Sequence, residues 1–253
     1  MPNNYFRFRQ FTVFQDECAM KVCTDACLFG AWVVSIVRNR YMNILDVGTG
    51  TGLLSLMIAQ ATEGRIDAVE IDGQAVVQAK KNFCSSPWPE RLFLHHQPVQ
   101  LFNGSTKYDL VVANPPFYET DLKSPDERRN DALHSSSLTI AGLVPLVKSF
   151  MADEGKFAIL LPSKRTDEFE LLAALSGFAI LHKAVVRQTP RHAPFRAMYI
   201  VKDDGGGEPA EYEEMTIKEH DRYTERFHHL LEDYYLFESE IKRHTDERRG
   251  FKE

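Results

Sequence analysis

The residues whose types and order are most specific for chemistry are Asn114-Pro115-Pro116-Phe117, which follow the apolar run Tyr108–Ala113. That run predicts a strand buried on both faces. The two prolines fix φ and lack N–H groups, so the chain should leave the strand as a rigid loop. The amide of Asn114 and the carbonyl of Pro115 supply two hydrogen-bond acceptors, and Phe117 supplies an aromatic face.

These groups suit the methylation of an amino group that is conjugated to a ring or a carbonyl. Such a nitrogen is a poor nucleophile because its lone pair is delocalised. Two acceptors that hold its N–H bonds would orient the nitrogen and favour the positive charge that develops on it. Phe117 would stack on the base. We therefore predict that the catalytic residues are Asn114, Pro115, Pro116 and Phe117.

A glycine-rich turn forms the second candidate site, in the segment Asp46-Val47-Gly48-Thr49-Gly50-Thr51-Gly52. It follows a predicted strand and opens a predicted helix, and its glycines permit a tight turn and close approach of a ligand. Glu70 ends the next strand, where a carboxylate can accept hydrogen bonds from a ribose diol. Dinucleotide sites usually contain G-x-G-x-x-G, whereas the spacing here is G-T-G-T-G. On this motif alone, a nicotinamide cofactor is the alternative.

The spacing of the turn resembles motif I of S-adenosylmethionine-dependent methyltransferases. That resemblance implies S-adenosylmethionine as the cofactor, with the turn and Asp46 near its methionine end and Glu70 at its ribose. A sulfonium supplies a good leaving group, the neutral thioether, so the chemistry needs no metal. Gln97 stands where related enzymes often carry an aspartate that binds the adenine amine, and its carbonyl could accept the same hydrogen bond.

Alternating apolar runs and helical patterns predict βαβ units. We expect an α/β fold: a doubly wound, seven-stranded, Rossmann-like class I methyltransferase sheet whose last strand is antiparallel. The predicted strands are Asn43–Val47, Arg65–Ile71, Arg91–His95, Tyr108–Ala113, Lys156–Leu161, Phe178–Arg187 and Arg196–Val201. The predicted helices are Thr24–Arg38, Leu53–Ala61, Asp72–Phe83, Leu138–Met151, Thr166–Leu175 and Tyr223–Phe237.

The predicted catalytic core covers residues 41–202. An N-terminal extension over residues 1–40 is expected to pack on the cofactor site, and a C-terminal helical extension and tail cover residues 203–253. Over the 253 residues, 43% are hydrophobic and 26% are charged, which is ordinary for a globular protein and excludes a disordered, collagen-like or coiled-coil chain.

The net charge of −6, from 30 basic and 36 acidic residues, excludes a generic nucleic-acid coat protein but permits a local basic patch. The start of the chain shows no apolar signal region, and no run is apolar enough to span a membrane, so we expect a cytoplasmic protein without membrane contact. The four cysteines include no C-x-x-C pair. We therefore expect reduced thiols and no metal.

The flanks resemble one bacterial family, that of the tRNA1(Val) (adenine-37-N6)-methyltransferases. The resemblance rests on Phe8–Val13, Cys18–Trp32, the glycine turn, Ser86-Pro87-Trp88, Asn-Pro-Pro-Phe and Tyr223–Leu236. It implies methyl transfer to N6 of the adenine next to the anticodon of a valine tRNA. Separately from the resemblance, we expect the protein to be a monomer. Methylation of guanine-N2 in rRNA or of glutamine-N5 in a protein remains open, as does an inactive RNA-binding module.

The family pattern adds Lys21, Thr24 and Asp25 as residues that border the cofactor, although Thr24 and Asp25 could equally cap the following helix. His134 follows Leu133, where the family usually has an arginine. The full predicted cofactor set is Lys21, Thr24, Asp25, Asp46, Gly48, Gly50, Gly52, Glu70, Ile71, Gln97 and Asn114. The predicted RNA-binding residues are Arg7, Arg9, Lys123, Arg128, Arg129, His134, Arg187, Arg191, His192 and Arg196.

Overall fold

A computed structural model describes residues 4–17, 21–37, 43–104, 106–115, 138–203 and 209–237. The strands are β1 (Tyr5–Arg7), β2 (Thr12–Phe14), β3 (Asn43–Val47), β4 (Arg65–Glu70), β5 (Leu92–His96), β6 (Tyr108–Ala113), β7 (Met151–Pro162), β8 (Phe178–Arg187), β9 (Arg196–Asp203), β10 (Glu211–Thr216), β11 (Lys218–Glu219) and β12 (Arg222–Tyr223). The α-helices are α1 (Thr24–Val37), α2 (Leu53–Ala61), α3 (Gly73–Cys84), α4 (Ile140–Phe150), α5 (Thr166–Leu175) and α6 (Glu225–Leu231). Single 3₁₀ turns cover Pro89–Arg91, Val99–Leu101 and Ser163–Arg165.

Eight of the described strands form one sheet, in the order β10-β8-β9-β7-β6-β3-β4-β5. Strands β3 to β7 are parallel, and β9 runs antiparallel to both β7 and β8. This confirms the predicted fold class and its antiparallel strand Arg196–Val201. The expectation of seven strands was one too few, because β10 extends the sheet alongside β8 as a parallel edge strand.

Helices cover both faces of the sheet, which explains why the central strands are apolar throughout. On β6, Leu110 and Val112 pack with the buried residues of α1 and α2, whereas Val111 and Ala113 pack with those of α4 and α5. This period of two follows from the alternation of side chains along a strand. Within the described residues, no helix is both long and apolar enough to cross a membrane.

The segment after β9 differs most from the expectation of a helical extension. Its residues Glu211–Thr216 form β10, the next residues form the β11–β12 hairpin, and the predicted helix Tyr223–Phe237 shortens to α6. Thr224 caps α6 by accepting a hydrogen bond from the backbone N–H of Phe227. The chain then returns to the antiparallel pair β1–β2. There the backbone N–H of Arg9 donates to the carbonyl of Tyr234.

Candidate functional site

Four loops of the predicted site lie at one edge of the sheet, because they follow the carboxyl ends of parallel strands. Val47 at the end of β3 is paired with Val69 of β4 and with Ala113 of β6. Glu70 at the end of β4 is paired with His96 of β5. We call this side of the sheet the carboxyl edge, and it is where open α/β sheets bind ligands. The edge brings together Asp46, Gly48, Gly50, Gly52, Glu70, Ile71, Gln97 and Asn114.

The glycine turn adopts a conformation that other residues rarely take. Gly48, Gly50 and Gly52 have φ values of 72°, 57° and 82°. At Gly52 a Cβ atom would lie 2.4 Å from Cε1 of Phe83, so this glycine is required for packing of α3. At Gly48 and Gly50 a Cβ atom would meet nothing within 4 Å. The outer side of the turn is therefore an open surface of exposed backbone.

Glu70 holds this turn in place with its side chain. Its Oε2 accepts a hydrogen bond from the backbone N–H of Gly50 at 2.9 Å. Its Oε1 accepts from the N–H groups of Ile71 and Asp72 at 2.8 and 2.9 Å. A carboxylate has about four acceptor positions, so Oε2 retains the capacity to accept one more hydrogen bond. The carbonyl of Glu70 accepts from the N–H of Gln97, which fixes the start of the loop after β5.

Asp46 lies fully buried beneath the turn. Its Oδ2 accepts hydrogen bonds from the hydroxyls of Thr49 and Ser55 at 2.6 and 2.7 Å. Burial raises the pKa of Asp46 to about 6, because desolvation outweighs these two hydrogen bonds. Its Oδ1 has no hydrogen-bond partner among the described residues. A buried acceptor of this kind is uncommon in folded proteins and points to a missing donor.

The N-terminal segment reaches the same edge through an ion pair. Asp25, on the first turn of α1, accepts a hydrogen bond of 2.6 Å from Nε of Arg196. Arg196 begins β9, opposite Pro162 at the carboxyl end of β7. The pair therefore holds the start of α1, including Thr24, beside the loops of the carboxyl edge, and Lys21 is exposed just before it.

Two buried amides of α3 that sequence reasoning missed, Asn82 and Gln78, attach the N-terminal segment to this helix, and a third buried amide, Gln15, lies within the segment itself. Asn82 donates to the carbonyls of Phe14 and of Thr51 in the glycine turn, and accepts from the N–H of Phe14. Gln78 accepts from the N–H of Glu17, and Gln15 accepts from that of Val22. The available signal was the occurrence of two amides, four residues apart, on the apolar face of a predicted helix.

At the end of β6, Asn114 is half-buried and Pro115 is buried. Asn114 directly follows Ala113, which is paired with Val47 at the start of the glycine turn. The remaining catalytic predictions, Pro116 and Phe117, lie outside the described residues. The same holds for the RNA-binding predictions Lys123, Arg128, Arg129 and His134.

Several predicted RNA-binding arginines have protein partners in the structure. Nε of Arg9 donates to the carbonyl of Glu232, and Arg196 is paired with Asp25. Arg187 donates to the carbonyl of His192 and lies 3.5 Å from Glu214. Arg7, Arg191 and His192 are exposed. The structure therefore separates the basic residues that hold loops in place from those that face solvent.

Comparison with known proteins supports this description of the fold. A family model described as "Methyltransferase small domain" matches residues 31–132. The crystal structure of a predicted O-methyltransferase from Agrobacterium tumefaciens has a TM-score of 0.64, with 15% sequence identity over 83% of this chain and 96% of that chain. The fold and the carboxyl-edge site together define a class I methyltransferase.

Similarity over almost the whole chain is more specific. The tRNA1(Val) (adenine(37)-N6)-methyltransferase of Dyadobacter fermentans is 42% identical over 247 residues, covering 93% of this chain and 99% of that protein. The protein of the same name from Phocaeicola vulgatus is 38% identical over 237 residues, with the same coverage. This chain belongs to the tRNA1(Val) (adenine(37)-N6)-methyltransferase family.

Proposed function

We propose that this chain transfers a methyl group from S-adenosylmethionine to N6 of the adenine at position 37 of tRNA1(Val), in the cytoplasm. Family membership supports this activity, and one structural observation carries it. Val47 and Ala113 are paired in the sheet, so the glycine turn and the Asn114-Pro115 loop begin on adjacent strands. Adjacent strands lie about 4.8 Å apart. A cofactor at the turn and an amino group at Asn114 would thus be neighbours.

The residues at the carboxyl edge fit S-adenosylmethionine. The unpartnered Oδ1 of Asp46 favours the ammonium group at the amino-acid end of the cofactor. The open backbone at Gly48 and Gly50 leaves room for close approach. The free acceptor position on Glu70 can bind a ribose hydroxyl, and Ile71, with 49% of its surface exposed, offers an apolar face next to it.

When bound, the cofactor supplies an electrophilic methyl group on a sulfonium. The protein supplies orientation and charge stabilisation. Oδ1 of Asn114 and the carbonyl of Pro115 accept the two N–H bonds of the amino group and direct its lone pair towards the cofactor site. As the nitrogen bonds the methyl group and gains positive charge, its N–H groups become stronger donors to these two oxygens. The leaving group would be the neutral thioether, and the nitrogen would lose one proton to solvent. Phe117 remains the predicted stacking partner of the base.

The N-terminal segment completes the cofactor site in this proposal. Lys21, Thr24 and Asp25 border it, and the Asp25–Arg196 pair and the amide of Asn82 hold this segment against the sheet. Gln97 is placed at the carboxyl edge by its backbone hydrogen bond to Glu70, where its side chain can bind the adenine amine. In this proposal, the cofactor site is thus formed by several separate parts of the chain.

The test is methyl transfer to total tRNA from cells that lack this modification, with methyl-labelled S-adenosylmethionine and with Asn114→Ala as a matched control. Nucleoside analysis identifies the product, and purified tRNA1(Val) identifies the position. N6-methyladenosine at position 37 from the wild type, and a large loss in the control, are expected. Label in N2-methylguanosine, label in protein, or absence of transfer would contradict the proposed function.

A further inference from the structure

The loop between β8 and β9 contains basic residues with two different roles. Arg187 and Arg196, at its two ends, are engaged with Glu214 and Asp25. Arg191, at its tip, is exposed and has no partner within the described part of the chain. His192 is also exposed, and its Nδ1 lies 2.7 Å from the hydroxyl of Thr189, which leaves Nε2 available. The ends of the loop are fixed by ion pairs and the tip faces solvent.

The β11–β12 hairpin, which sequence reasoning did not identify, is attached to this loop. The backbone N–H of Ile217 donates to the carbonyl of Arg187 at 2.9 Å, and that of Lys218 donates to the carbonyl of Gln188 at 3.0 Å. The hairpin adds two cations, Lys218 and the exposed Arg222. Neither has an ion-pair partner within 4 Å among the described residues.

Packing against α6 makes the hairpin a fixed platform. The ring of Tyr223 stacks on that of Phe227, with centroids 4.5 Å apart and planes at 12°. Nζ of Lys218 lies 5.1 Å from the centroid of Tyr223. The hydroxyl of Thr224 donates to the carbonyl of Thr216 at 2.6 Å. Because the hairpin is already ordered, a partner that binds it loses little conformational entropy in the process.

The turn of the hairpin is a second unusual feature. His220 and Asp221 have φ values of 48° and 61°, a conformation that glycine and asparagine adopt more easily. These two residues form the turn that joins β11 to β12.

The β8–β9 loop and the β11–β12 hairpin both begin at the carboxyl edge. Strands β8 and β10 are parallel and end together, with Thr216 paired to Arg187. At about 4.8 Å per strand, the loop joins strands that lie two and three positions from β6, and β10, which leads into the hairpin, lies four positions from β6. These spacings correspond to about 10–14 Å and about 19 Å from the strand that carries Asn114. The cations therefore face the same side as the proposed acceptor site, but are too distant to contact the target base.

We propose that Arg191, His192, Lys218 and Arg222 form a distal basic surface that binds the phosphate backbone of the tRNA several nucleotides from the methylated adenine. This inference rests on the proposed function, which supplies the RNA. Arg191 and Arg222 donate to phosphate oxygens through their guanidinium groups, and Lys218 acts as a point charge. Arg187 and Arg196 act as positioning residues for this surface and not as RNA contacts.

The acidic residues Glu219 and Asp221 alternate with the cations in the hairpin. They reduce the attraction for an arbitrary polyanion, so productive binding requires phosphates at the positions of the individual cations. The distal basic surface thus selects for the shape of a folded tRNA, in agreement with the net charge of −6.

The test compares the wild type with the triple variant Arg191→Ala/Lys218→Ala/Arg222→Ala. Direct binding of tRNA1(Val) and steady-state methylation are measured at several salt concentrations. The variant should raise both the Kd and the KM for tRNA at least about tenfold, with little change in kcat, and should reduce the slope of log K against log salt by about 2–3. The Kd for S-adenosylmethionine should be unchanged.

Two controls make the outcome decisive. Lys107→Ala removes an exposed cation at the opposite edge of the sheet and should leave the tRNA Kd and the salt slope unaltered. The single variant Arg191→Glu gives a second measurement if the triple variant is unstable in a thermal melt. A triple variant that binds and methylates tRNA like Lys107→Ala refutes the distal basic surface but leaves the proposed function intact. A wild type that neither binds nor methylates tRNA refutes both.

Discussion

The carboxylate of Asp25 and the guanidinium of Arg196 form a hydrogen-bonded ion pair of 2.6 Å between residues that are 171 positions apart in the sequence. Asp25 is only 9% exposed. The pair connects the first turn of α1 to the first residue of β9. It therefore links the N-terminal segment to the part of the sheet that follows the Asn114-Pro115 loop in the sequence. We interpret it as one of the contacts that hold the N-terminal segment beside the proposed cofactor site.

Arg196→Ala should lower the free energy of unfolding by about 1–3 kcal/mol, because it leaves the Asp25 carboxylate buried without its charged donor. It should also weaken the binding of S-adenosylmethionine, because the start of α1 is then held less firmly. Urea denaturation and calorimetric titration measure the two effects. Arg196→Lys should restore only part of the loss, because an ammonium lacks the planar geometry of the guanidinium.

Arg191→Ala is the matched control for this change, because it removes an exposed arginine from the same loop. Its effect on the free energy of unfolding should stay within about 0.5 kcal/mol. The double variant Asp25→Asn/Arg196→Ala should be less destabilised than the sum of the single variants, since the two residues interact directly. Additive effects would show that the pair contributes nothing beyond its separate residues.

Two glycines in the same turn should respond differently to alanine. Gly52→Ala places a methyl group against the buried ring of Phe83 in a left-handed backbone position, which should cost about 2–5 kcal/mol of stability. Gly48→Ala has only the backbone strain, of about 1–2 kcal/mol, because its Cβ points into open space. That space is the proposed cofactor site, so Gly48→Ala should lose cofactor affinity while it remains folded.

Chemical denaturation and calorimetric titration of both alanine variants measure this difference. Normal cofactor affinity in Gly48→Ala would remove the outer side of the turn from the proposed site. Equal destabilisation of the two variants would contradict the packing role assigned to Gly52.

The order of strands and helices was predictable because the central strands are continuous apolar runs bounded by turn residues. The bounds of β3, β6, β8, α2 and α5 agree with the sequence prediction. Strand β10 was not predictable in this way. Its sequence, Glu-Tyr-Glu-Glu-Met-Thr, contains three glutamates, and only Met215 is buried. An edge strand that is solvated on one side gives almost no hydrophobic signal.

The candidate site was predictable where a residue type is tied to a local motif, as for Gly48, Glu70 and Asn114. The sequence could not show that Asp25 would be paired with Arg196, because that contact depends on how α1 packs across the sheet. For the same reason, Arg196 was predicted as an RNA contact although the structure gives it a protein partner. Long-range polar contacts of this kind are determined by the tertiary arrangement.

The pKa of Asp46 predicts how cofactor binding depends on pH. Because its pKa is raised from the ordinary value of 3.8 to about 6, the folded, cofactor-free protein binds a proton that the unfolded chain has lost. Asp46 therefore contributes less to stability as the pH rises from about 4 to about 6. An ammonium group on the cofactor favours the carboxylate form, so the Kd for S-adenosylmethionine should increase as the pH falls below about 6.

Calorimetric titration from pH 5 to 8, at about unit intervals, measures this dependence. The comparison is Asp46→Asn, which keeps an oxygen for Thr49 and Ser55 but cannot ionise. Its cofactor affinity should be weaker at pH 7 and nearly constant below it. Parallel profiles for the two proteins would mean that another group controls the pH dependence.

The role proposed for Asn114 is acceptance of N–H bonds, and this role can be separated from its capacity to donate. Asn114→Ala removes the acceptor and should lower kcat about 10²–10³-fold, the usual cost of losing one charge-stabilising hydrogen bond. Asn114→Asp keeps acceptor oxygens in the same place but removes the N–H₂ group. It should therefore retain much more activity than Asn114→Ala, with the Kd for S-adenosylmethionine little changed in both variants.

Single-turnover transfer to tRNA1(Val), with the cofactor Kd measured separately, distinguishes the possible roles of this side chain. If Asn114→Asp is as slow as Asn114→Ala, the amide must act as a donor, and the orientation of the adenine in the proposed mechanism is wrong. If both variants turn over like the wild type, the carbonyl of Pro115 suffices to orient the amino group. An intermediate rate for Asn114→Asp supports the acceptor role. The wild type and this variant share an acceptor oxygen on the side chain at the end of β6, whereas Asn114→Ala has none.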